Sequence, residues 1–222
     1  MATILITGAN RGIGLALARE YVARGDTVIA ACRVTSKALE DLGVKVYEGV
    51  EVGDDVAVDR LATSLGDTWI DVLVNNAGIH SNETLEDLSF ERIRKQMEVN
   101  AYGPLRVTRA LLPRLHAGSK VVIVTSRSGS IGDNGSGRTY GYRMSKAAVN
   151  MAGVNLALDL KPRGIPVLLL HPGMVKTDMG GNNNPAAVEA RDAAARMVAR
   201  IDEMSLDNTG QFRHAEGYEL PW

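Results

Sequence analysis

The chain of 222 residues is poor in cysteine and aromatic residues, and it has no excess of one charge. Its single cysteine, Cys32, excludes an intrachain disulfide and fits a reducing compartment. The 25 Lys and Arg residues are scattered among 26 acidic ones, without the basic run typical of a nucleic-acid surface. No stretch approaches the roughly 18 unbroken apolar residues of a membrane helix, and the first residues do not resemble a signal peptide. We therefore expect a cytoplasmic protein with no nucleic-acid or membrane partner.

Clusters of metal ligands are missing from the sequence as well. The four histidines stand far apart, at His80, His116, His171 and His214, and no second cysteine accompanies them. Zinc sites in proteins are built from grouped His and Cys ligands. The sequence therefore predicts no catalytic metal.

Short apolar runs alternate with longer helical patterns along the chain. Near-continuous Val, Ile and Leu runs predict strands that helices cover on both faces, at Ala2–Thr7, Thr27–Cys32, Val44–Glu48, Asp71–Asn75, Val121–Thr125, Ile165–Leu170 and, more weakly, near Gly210–Arg213. Apolar residues at three- and four-residue spacing predict helices over Ile13–Arg24, Asp54–Leu65, Phe90–His116, Tyr142–Lys161 and Ala186–Met204. The alternation predicts one α/β domain over residues 1–222, a Rossmann-type doubly wound parallel sheet flanked by helices on both faces. Ligands of such sheets bind beyond the carboxyl ends of the strands.

The first predicted strand runs into a glycine-rich turn. The segment Thr7–Gly14 (TGANRGIG) places Gly8, Gly12 and Gly14 between this strand and a helix. Glycines let the backbone approach a pyrophosphate, whose charge is favoured at a helix N-terminus. Because the spacing differs from the usual G-x-G-x-x-G dinucleotide pattern, a tight turn without a ligand is the alternative.

Two arginines indicate which dinucleotide would bind. An NAD site carries an acidic residue about 20 positions after the glycines, but here the second strand ends in Cys32-Arg33. Arg11 lies inside the glycine turn. Guanidinium groups form charge-assisted hydrogen bonds with phosphates, so the pair favours NADP(H) through its 2′-phosphate. The alternative is that either arginine is simply solvated.

Tyr142 and Lys146 are a candidate acid–base pair. Four residues apart, they share one face of a predicted helix. A phenol has an ordinary pKa of about 10, and a neighbouring ammonium group stabilises the phenolate. A lone Tyr-x-x-x-Lys pair is commonly structural, but Ser126 follows the strand Val121–Thr125 and offers a hydroxyl to a substrate oxygen.

Taken in order, these motifs resemble the short-chain dehydrogenase/reductase family over nearly the whole chain. The matching features are Thr7-Gly8-x-x-x-Gly12-Ile13-Gly14, Asn75-Asn76-Ala77-Gly78, Asn100, Ser126, Tyr142-x-x-x-Lys146 and Pro172-Gly173-x-Val175-x-Thr177. The Ser-Arg-Ser-Gly-Ser-Ile-Gly run that starts at Ser126 and the segment Gly217–Trp222 (GYELPW) are similar to the C-factor and sniffer-type, carbonyl reductase-like branch.

The resemblance implies a role for each matched residue. Tyr142 would be the general acid in reduction, Ser126 would hold the carbonyl oxygen, and Lys146 would bind the nicotinamide ribose and lower the Tyr142 pKa. Asn100 would support a water-linked proton relay. Long helices often pair between subunits in this family, which implies a homodimer or homotetramer, with a monomer as the alternative because monomeric relatives exist. The expected NADP(H) contacts are Gly8, Asn10, Arg11, Gly12, Ile13, Gly14, Arg33, Glu51, Asn76, Ala77, Gly78, Tyr142, Lys146, Pro172, Gly173, Val175 and Thr177.

The sequence departs from the family pattern at two places. The interval from Ser126 to Tyr142 is longer than usual, so Ser126 is matched by its Ser-x-x-Gly context, and Ser128 and Ser130 remain rivals. The acidic residue common after the third strand is replaced locally by Val50-Glu51-Val52. Glu51 either substitutes for that residue beside the adenine or is an ordinary surface carboxylate.

The substrate pocket is the least constrained part of the site. Candidate lining residues are His80, Ser128, Met174 and Met179. A lone histidine such as His80 is more often a bystander, and core or loop packing explains the two methionines equally well. A short loop after Thr177 predicts an open pocket for bulky or varied ketones, and Gly180–Pro185 is predicted to be mobile.

Two functions from different classes fit these observations. The first is an NADPH-dependent enzyme that reduces small-molecule ketones and aldehydes to alcohols, reversibly. The second is an NADP(H)-binding regulatory or signalling protein with little turnover, because fold alone does not settle function. The set Ser126, Tyr142 and Lys146 favours the enzyme, since a binding module has no need of it.

Overall fold

The computed structural model describes residues 1–180 and 184–222. Within these residues a seven-stranded sheet has the order β3-β2-β1-β4-β5-β6-β7, and every neighbouring pair is parallel. This arrangement confirms the predicted Rossmann-type doubly wound α/β fold. The strands are β1 Thr3–Thr7, β2 Thr27–Ala31, β3 Lys45–Tyr47, β4 Ile70–Asn75, β5 Leu115–Val124, β6 Val167–His171 and β7 Phe212–His214.

Helices cover both faces of the sheet, and each face has its own apolar core. In β1, Ile4 and Ile6 point into one core while Leu5 points into the other, as strand geometry requires. Helices α1 and α7 complete the first core, and α3, α5 and α6 complete the second. The helices are α1 Gly12–Ala23, α2 Lys37–Glu40, α3 Asp55–Ser64, α4 Phe90–Gln96, α5 Gly103–Leu111, α6 Tyr140–Leu160 and α7 Ala190–Asp202.

The prediction of one continuous helix over Phe90–His116 was wrong. A π-helical turn, Met97–Tyr102, separates α4 from α5, and a short 3₁₀ turn at Leu112–Arg114 follows α5. Leu115 and His116 already belong to β5. Apolar spacing does not register an extra residue inserted into a helical turn, and such π turns are frequent at functional sites.

Other element boundaries shifted by a few residues. Helix α7 begins at Ala190 rather than Ala186, because Val188 first forms a β-bridge with Val175. Helix α2 escaped prediction because it is only four residues long; Ser36 caps it by accepting a hydrogen bond from Leu39 N–H. Of the predicted mobile loop Gly180–Pro185, residues 181–183 lie outside the described part of the chain.

The fold brings the catalytic candidates to one edge of the sheet. Strands β1, β4 and β5 lie side by side, so their carboxyl ends meet next to one another. In the described residues no helix is long and apolar enough to cross a membrane.

Candidate active site

A cleft of about 1080 Å³ opens at the carboxyl ends of the strands. This volume is at the upper end of ordinary ligand sites. Of the expected cofactor contacts, the cleft is lined by Gly8, Asn10, Arg11, Gly12, Ile13, Arg33, Glu51, Asn76, Ala77, Gly78, Tyr142, Lys146, Pro172 and Thr177. The lining does not include Gly14, Gly173 and Val175.

The glycine turn is shaped by close backbone approach. Gly8 and Gly12 have φ values of +66° and +56°, which side chains other than glycine rarely adopt. A side chain at Gly14 would overlap with the Gly8 carbonyl oxygen. Gly14 therefore packs helix α1 closely against the turn, and its expected contact with the cofactor stays a prediction.

Asn76 and Gly173 also have structural contacts that the sequence did not reveal. The Asn76 side-chain amide donates to the carbonyl oxygens of Thr7 and Gly8, at 3.0 and 3.1 Å. These bonds fasten the glycine turn to the end of β4. Gly173 has φ +84°, and a side chain there would lie 3.1 Å from His214 Nε2. Asn76 thus shapes the cleft that it lines. Gly173 does not line the cleft and packs against His214 instead.

The two arginines lie at the cleft, and each faces a carboxylate. Arg11 pairs with Asp178 at 3.0 Å, and Arg33 pairs with Glu51 at 3.4 Å. All four side chains are more than a third exposed, so the pairs are open to solvent and to competing anions. Glu51 is thus an ionic partner of Arg33 rather than an isolated surface carboxylate.

Tyr142 lies on α6 in reach of the serine loop, defined here as residues 126–133. Burial raises the pKa of Tyr142, and the interaction with the Ser126 side chain lowers it in part. Ser126 is 8% exposed, and its Oγ accepts a hydrogen bond from Ser128 N–H. Ser130 instead donates to the Trp222 main-chain oxygen at 3.2 Å. The contact with Tyr142 supports Ser126 over its rivals.

Lys146 is buried beside Tyr142. Its Nζ lies 5.7 Å from the centre of the Tyr142 ring and donates to the Val124 carbonyl oxygen at 2.9 Å. Burial lowers the pKa of Lys146 to about 8. Burial raises the pKa of Tyr142, and the expectation that Lys146 lowers this pKa stays a prediction.

Asn100 lies in the π-helical turn, with its side chain buried. Its Oδ1 accepts from Ile79 N–H, and its Nδ2 donates to the Ile79 carbonyl oxygen, both at 2.8 Å. Nδ2 also donates to Ser145 Oγ at 3.0 Å. Asn100 therefore joins the chain after β4 to helix α6 beside Lys146.

The candidate substrate residues separate into two groups. His80 packs edge to face on Tyr142, with ring centres 4.7 Å apart, and Met179 lines the cleft. Met174 is half exposed and its sulfur accepts a hydrogen bond from the Asn184 amide, so it packs against a loop outside the cleft. Ser128 is half-buried in the serine loop and is likewise absent from the lining.

Comparison with known proteins decides the family. A sequence model described as short chain dehydrogenase matches residues 2–187. This chain belongs to the short-chain dehydrogenase family. It is 41% identical, over the full length of both chains, to 1-hydroxy-2-glutathionyl-2-methyl-3-butene dehydrogenase of Rhodococcus sp. (strain AD45).

The expected likeness to the C-factor and sniffer-type branch of this family is confirmed. C-signal of Myxococcus xanthus is 43% identical over 164 residues, which cover 72% of this chain and 98% of C-signal. Carbonyl reductase Sniffer of D. melanogaster is 30% identical, with a TM-score of 0.92 and complete coverage of both chains. A carbonyl reductase from chicken fatty liver, solved with NADPH bound, is 28% identical with a TM-score of 0.92, covering 100% of this chain and 99% of that one.

Glu83 is a site residue of this short-chain dehydrogenase that the sequence did not indicate. It is fully buried, and its carboxylate accepts hydrogen bonds from Gly141 N–H and the Gln96 side-chain amide, at 3.2 and 3.0 Å. Its main-chain oxygen accepts from Thr139 N–H. A carboxylate is favoured at a helix N-terminus, so Glu83 fixes the start of α6. The sequence offers no signal for it, because the contact spans 58 residues.

No metal cluster accompanies the site in the described part of the chain, where no group of three or more His, Cys, Asp or Glu is placed to hold an ion. His171 and His214 do meet, with ring centres 5.1 Å apart. His214 in turn stacks on Tyr218 at 4.6 Å. These rings form a packed group behind Gly173.

Proposed function

We propose that the chain is an NADPH-dependent oxidoreductase that reduces ketones or aldehydes to alcohols, reversibly. The observation that carries the proposal is that Tyr142 and Lys146 line the same cleft as Arg11 and Arg33, and that Ser126 interacts with Tyr142 beside it. One end of the cleft thus offers proton-transfer groups, and the other offers positive charge. Residues 1–222 would act as one NADP(H)-binding domain.

The residues present fit a bound NADP(H). The close approach of Gly14 to the Gly8 carbonyl oxygen, and the N-terminus of helix α1 that follows the turn, support a pyrophosphate site here. Arg11 and Arg33 would hold the 2′-phosphate through charge-assisted hydrogen bonds. Lys146 would bind the nicotinamide ribose, and Ala77, Gly78, Pro172 and Thr177 would line the cleft along the cofactor. The bound nicotinamide supplies the hydride.

The protein side of the reaction is an acid–base step. Ser126 Oγ would donate a hydrogen bond to the substrate oxygen, and the Tyr142 hydroxyl would give its proton to that oxygen as charge develops. The raised pKa of Tyr142 keeps the phenol protonated at neutral pH, as a general acid in reduction must be. In the oxidation direction the same residue would accept the proton at higher pH. Asn100 would support the relay that returns a proton to Tyr142.

The substrate would approach beside His80 and Met179. The Rhodococcus relative is named as a dehydrogenase of a glutathionyl alcohol, and the two solved structures are named as carbonyl reductases. These names support an alcohol–carbonyl reaction for this chain and make bulky substrates worth testing.

The test follows NADPH oxidation by absorbance against a panel of aldehydes and ketones, with NADH in parallel. The panel includes a glutathionyl aldehyde, and alcohol oxidation is run in reverse. We expect turnover that prefers NADPH and falls by about 10²-fold or more in Tyr142→Phe. Tyr102→Phe, which alters an exposed tyrosine in the π-helical turn, is the matched control and should keep full activity.

The alternative is an NADP(H)-binding regulatory protein, and the likeness to C-signal is the observation that favours it. Tight NADPH binding without turnover of any carbonyl would support this alternative and overturn the enzyme. Faster turnover with NADH would overturn the proposed role of Arg11 and Arg33.

We also propose a homodimer or homotetramer in the cytoplasm. Helix α6 exposes Met144, Met151 and Leu158, seven residues apart and therefore on one face. Sedimentation velocity of the wild type and of Met151→Lys tests this proposal, since a single monomeric species in both would contradict it.

A further inference from the structure

The serine loop is held on two sides, and its inner side rests on helix α6. A side chain at Gly129 would lie 2.6 Å from the Lys146 main chain, so the loop lies flat against the catalytic helix. Thr125 Oγ1 donates to Asn150 Oδ1 at 2.6 Å, which ties the end of β5 to the same helix. These contacts fix the inner side of the loop at residues 125 and 129.

On the outer side of the loop, the main-chain oxygen of Trp222 accepts two hydrogen bonds. Gly132 N–H donates to it at 2.7 Å, and Ser130 Oγ donates to it at 3.2 Å. Ser130 is buried, and its Oγ also accepts from Asp133 N–H. Asp133 pairs with Arg127, the residue after Ser126. The Trp222 oxygen is therefore connected to Ser126 through a short chain of polar contacts.

The segment that carries Trp222 is itself anchored. Leu220 is 6% exposed, and its N–H donates to the Phe212 carbonyl oxygen at 2.8 Å. Glu219 forms an antiparallel bridge with Arg213, and the Trp222 ring lies 5.4 Å from the Phe212 ring. The segment Gly217–Trp222 thus folds back on β7 and delivers its last main-chain oxygen to the serine loop.

The same segment is also linked, through His214, to the other wall of the site. Tyr218 stacks on His214, and His214 Nε2 is the atom that a side chain at Gly173 would meet. Gly173 follows Pro172, which lines the cleft. One short segment therefore contacts the serine loop directly and reaches the Pro172-Gly173 turn through His214.

We propose that the segment Gly217–Trp222 is a positioning element of the active site, which sets the place of Ser126 relative to Tyr142 through the Trp222 main-chain oxygen. It touches no reacting atom. The proposal rests on the proposed function, because it assigns the segment to the placement of a substrate-binding hydroxyl. A displacement of Ser126 by a fraction of an ångström would weaken its bond to the substrate oxygen and its interaction with Tyr142.

The first test removes Pro221 and Trp222 together, which deletes the acceptor of both loop donors. The deletion also removes a half-exposed ring that packs on Phe212, while Leu220 stays in place. Trp222→Phe is the matched control, because it keeps the main-chain oxygen and a ring against Phe212. We expect the deletion to lower kcat about tenfold while the Kd for NADPH stays unchanged, and Trp222→Phe to behave as wild type.

A second variant leaves the segment whole. The Cβ of Gly132→Ala would lie 3.1 Å from the Trp222 oxygen and would push it away, whereas Gly135→Ala meets nothing within 4 Å. Both glycines are exposed and neither has a positive φ, so both variants should fold. We expect Gly132→Ala to lower kcat several-fold, roughly in proportion to the displacement, and Gly135→Ala to match wild type.

The pH profile of alcohol oxidation provides a readout that simple destabilisation would not move. The interaction with Ser126 lowers the pKa of Tyr142, so moving Ser126 away raises that pKa. Oxidation needs Tyr142 deprotonated, so its midpoint should shift to higher pH in the deletion and in Gly132→Ala. Hydrogen exchange of the amides at 126–133 should also become faster.

The outcomes separate this inference from the proposed function. If wild type turns over no carbonyl, the proposed function fails, while faster exchange confined to the serine loop would still support the structural link. If the deletion and Gly132→Ala match their controls in kcat, pH midpoint and exchange, the positioning role is overturned even in an active enzyme.

Discussion

Glu83 Oε2 accepts a hydrogen bond from the backbone N–H of Gly141 at 3.2 Å, one residue before Tyr142. This bond places a buried carboxylate at the N-terminus of the helix that carries both Tyr142 and Lys146. The same carboxylate accepts from the Gln96 amide and contacts the Ser81 hydroxyl. The Glu83 carboxylate therefore joins its own segment to helices α4 and α6, and the position of Tyr142 depends on these bonds.

Replacing Glu83 by glutamine should destabilise the protein and reduce turnover together. The new amide would face the Gly141 N–H or the Gln96 amide with a donor instead of an acceptor, which leaves buried donors unpaired. We expect a loss of about 2–4 kcal/mol in the free energy of unfolding, measured by urea denaturation. Glu86→Gln, an exposed neighbour, is the control and should lose less than about 0.5 kcal/mol. Equal stability of the two variants would contradict this role of Glu83.

Lys146→Met should raise stability while it removes activity. Burial lowers the pKa of Lys146 to about 8. At neutral pH the folded protein therefore carries a buried ammonium group, and the loss of its hydration lowers the free energy of unfolding. Methionine has a similar length and no charge, and we expect a gain of about 1 kcal/mol or more at pH 7, with turnover reduced about 10²-fold or more.

The sign of the pH dependence provides a further check on Lys146. An unfolded lysine titrates near 10.5 and the folded one near 8, so the unfolded state binds more protons between these values. Wild-type stability should therefore rise from pH 8 to pH 10.5, and this rise should be absent in Lys146→Met. Lys176→Met, which alters an exposed lysine paired with Glu189, should keep the rise.

Much of this site follows from sequence because its residues are local to strand ends. The turn Gly8–Gly14 and the pair Tyr142 and Lys146 need only a strand–helix junction and a helical spacing of four, which the pattern supplies. Glu83 and the Trp222 oxygen act across 58 and about 90 residues, through a bend in the chain and a main-chain atom. Neither contact is marked in the sequence by periodicity or composition, so only the three-dimensional structure reveals them.

Asp178→Asn should improve the use of NADPH. Asp178 pairs with Arg11 at 3.0 Å, and both side chains are about two-thirds exposed. A 2′-phosphate at Arg11 would have to displace this carboxylate. Neutralising it should lower the KM for NADPH about two- to fivefold, within the range of an exposed ion pair, and leave the KM for NADH unchanged.

The opposite change tests the same contact. Arg11→Ala should raise the KM for NADPH about tenfold or more and spare NADH. Asp202→Asn is the control, because it breaks a comparable exposed ion pair, with Arg24, that lies outside the cleft. Parallel changes in KM for both cofactors would show that Arg11 acts on the turn itself and not on a 2′-phosphate.

His171 should make the protein sensitive to acid. Burial, together with the nearby His214, Arg127 and Lys146, lowers the pKa of His171 to about 3. Its Nδ1 has no hydrogen-bond partner among the described residues. An unfolded histidine titrates near 6.5, so between pH 6.5 and pH 3 the unfolded state binds one more proton and stability falls as the pH falls.

His171→Asn should remove most of this acid sensitivity, because asparagine keeps a polar atom near the Nδ1 position without titrating. From pH 6.5 to pH 5, wild type should lose about 2 kcal/mol more of its unfolding free energy than the variant does. His116 supplies the control of opposite sign. A hydrogen bond to the Ala117 carbonyl raises its pKa, with Asp71 adding to the effect. His116→Gln should therefore lose stability in acid at least as steeply as wild type. If the unfolding free energy of His171→Asn falls with pH as that of wild type does, His171 is protonated in the folded protein.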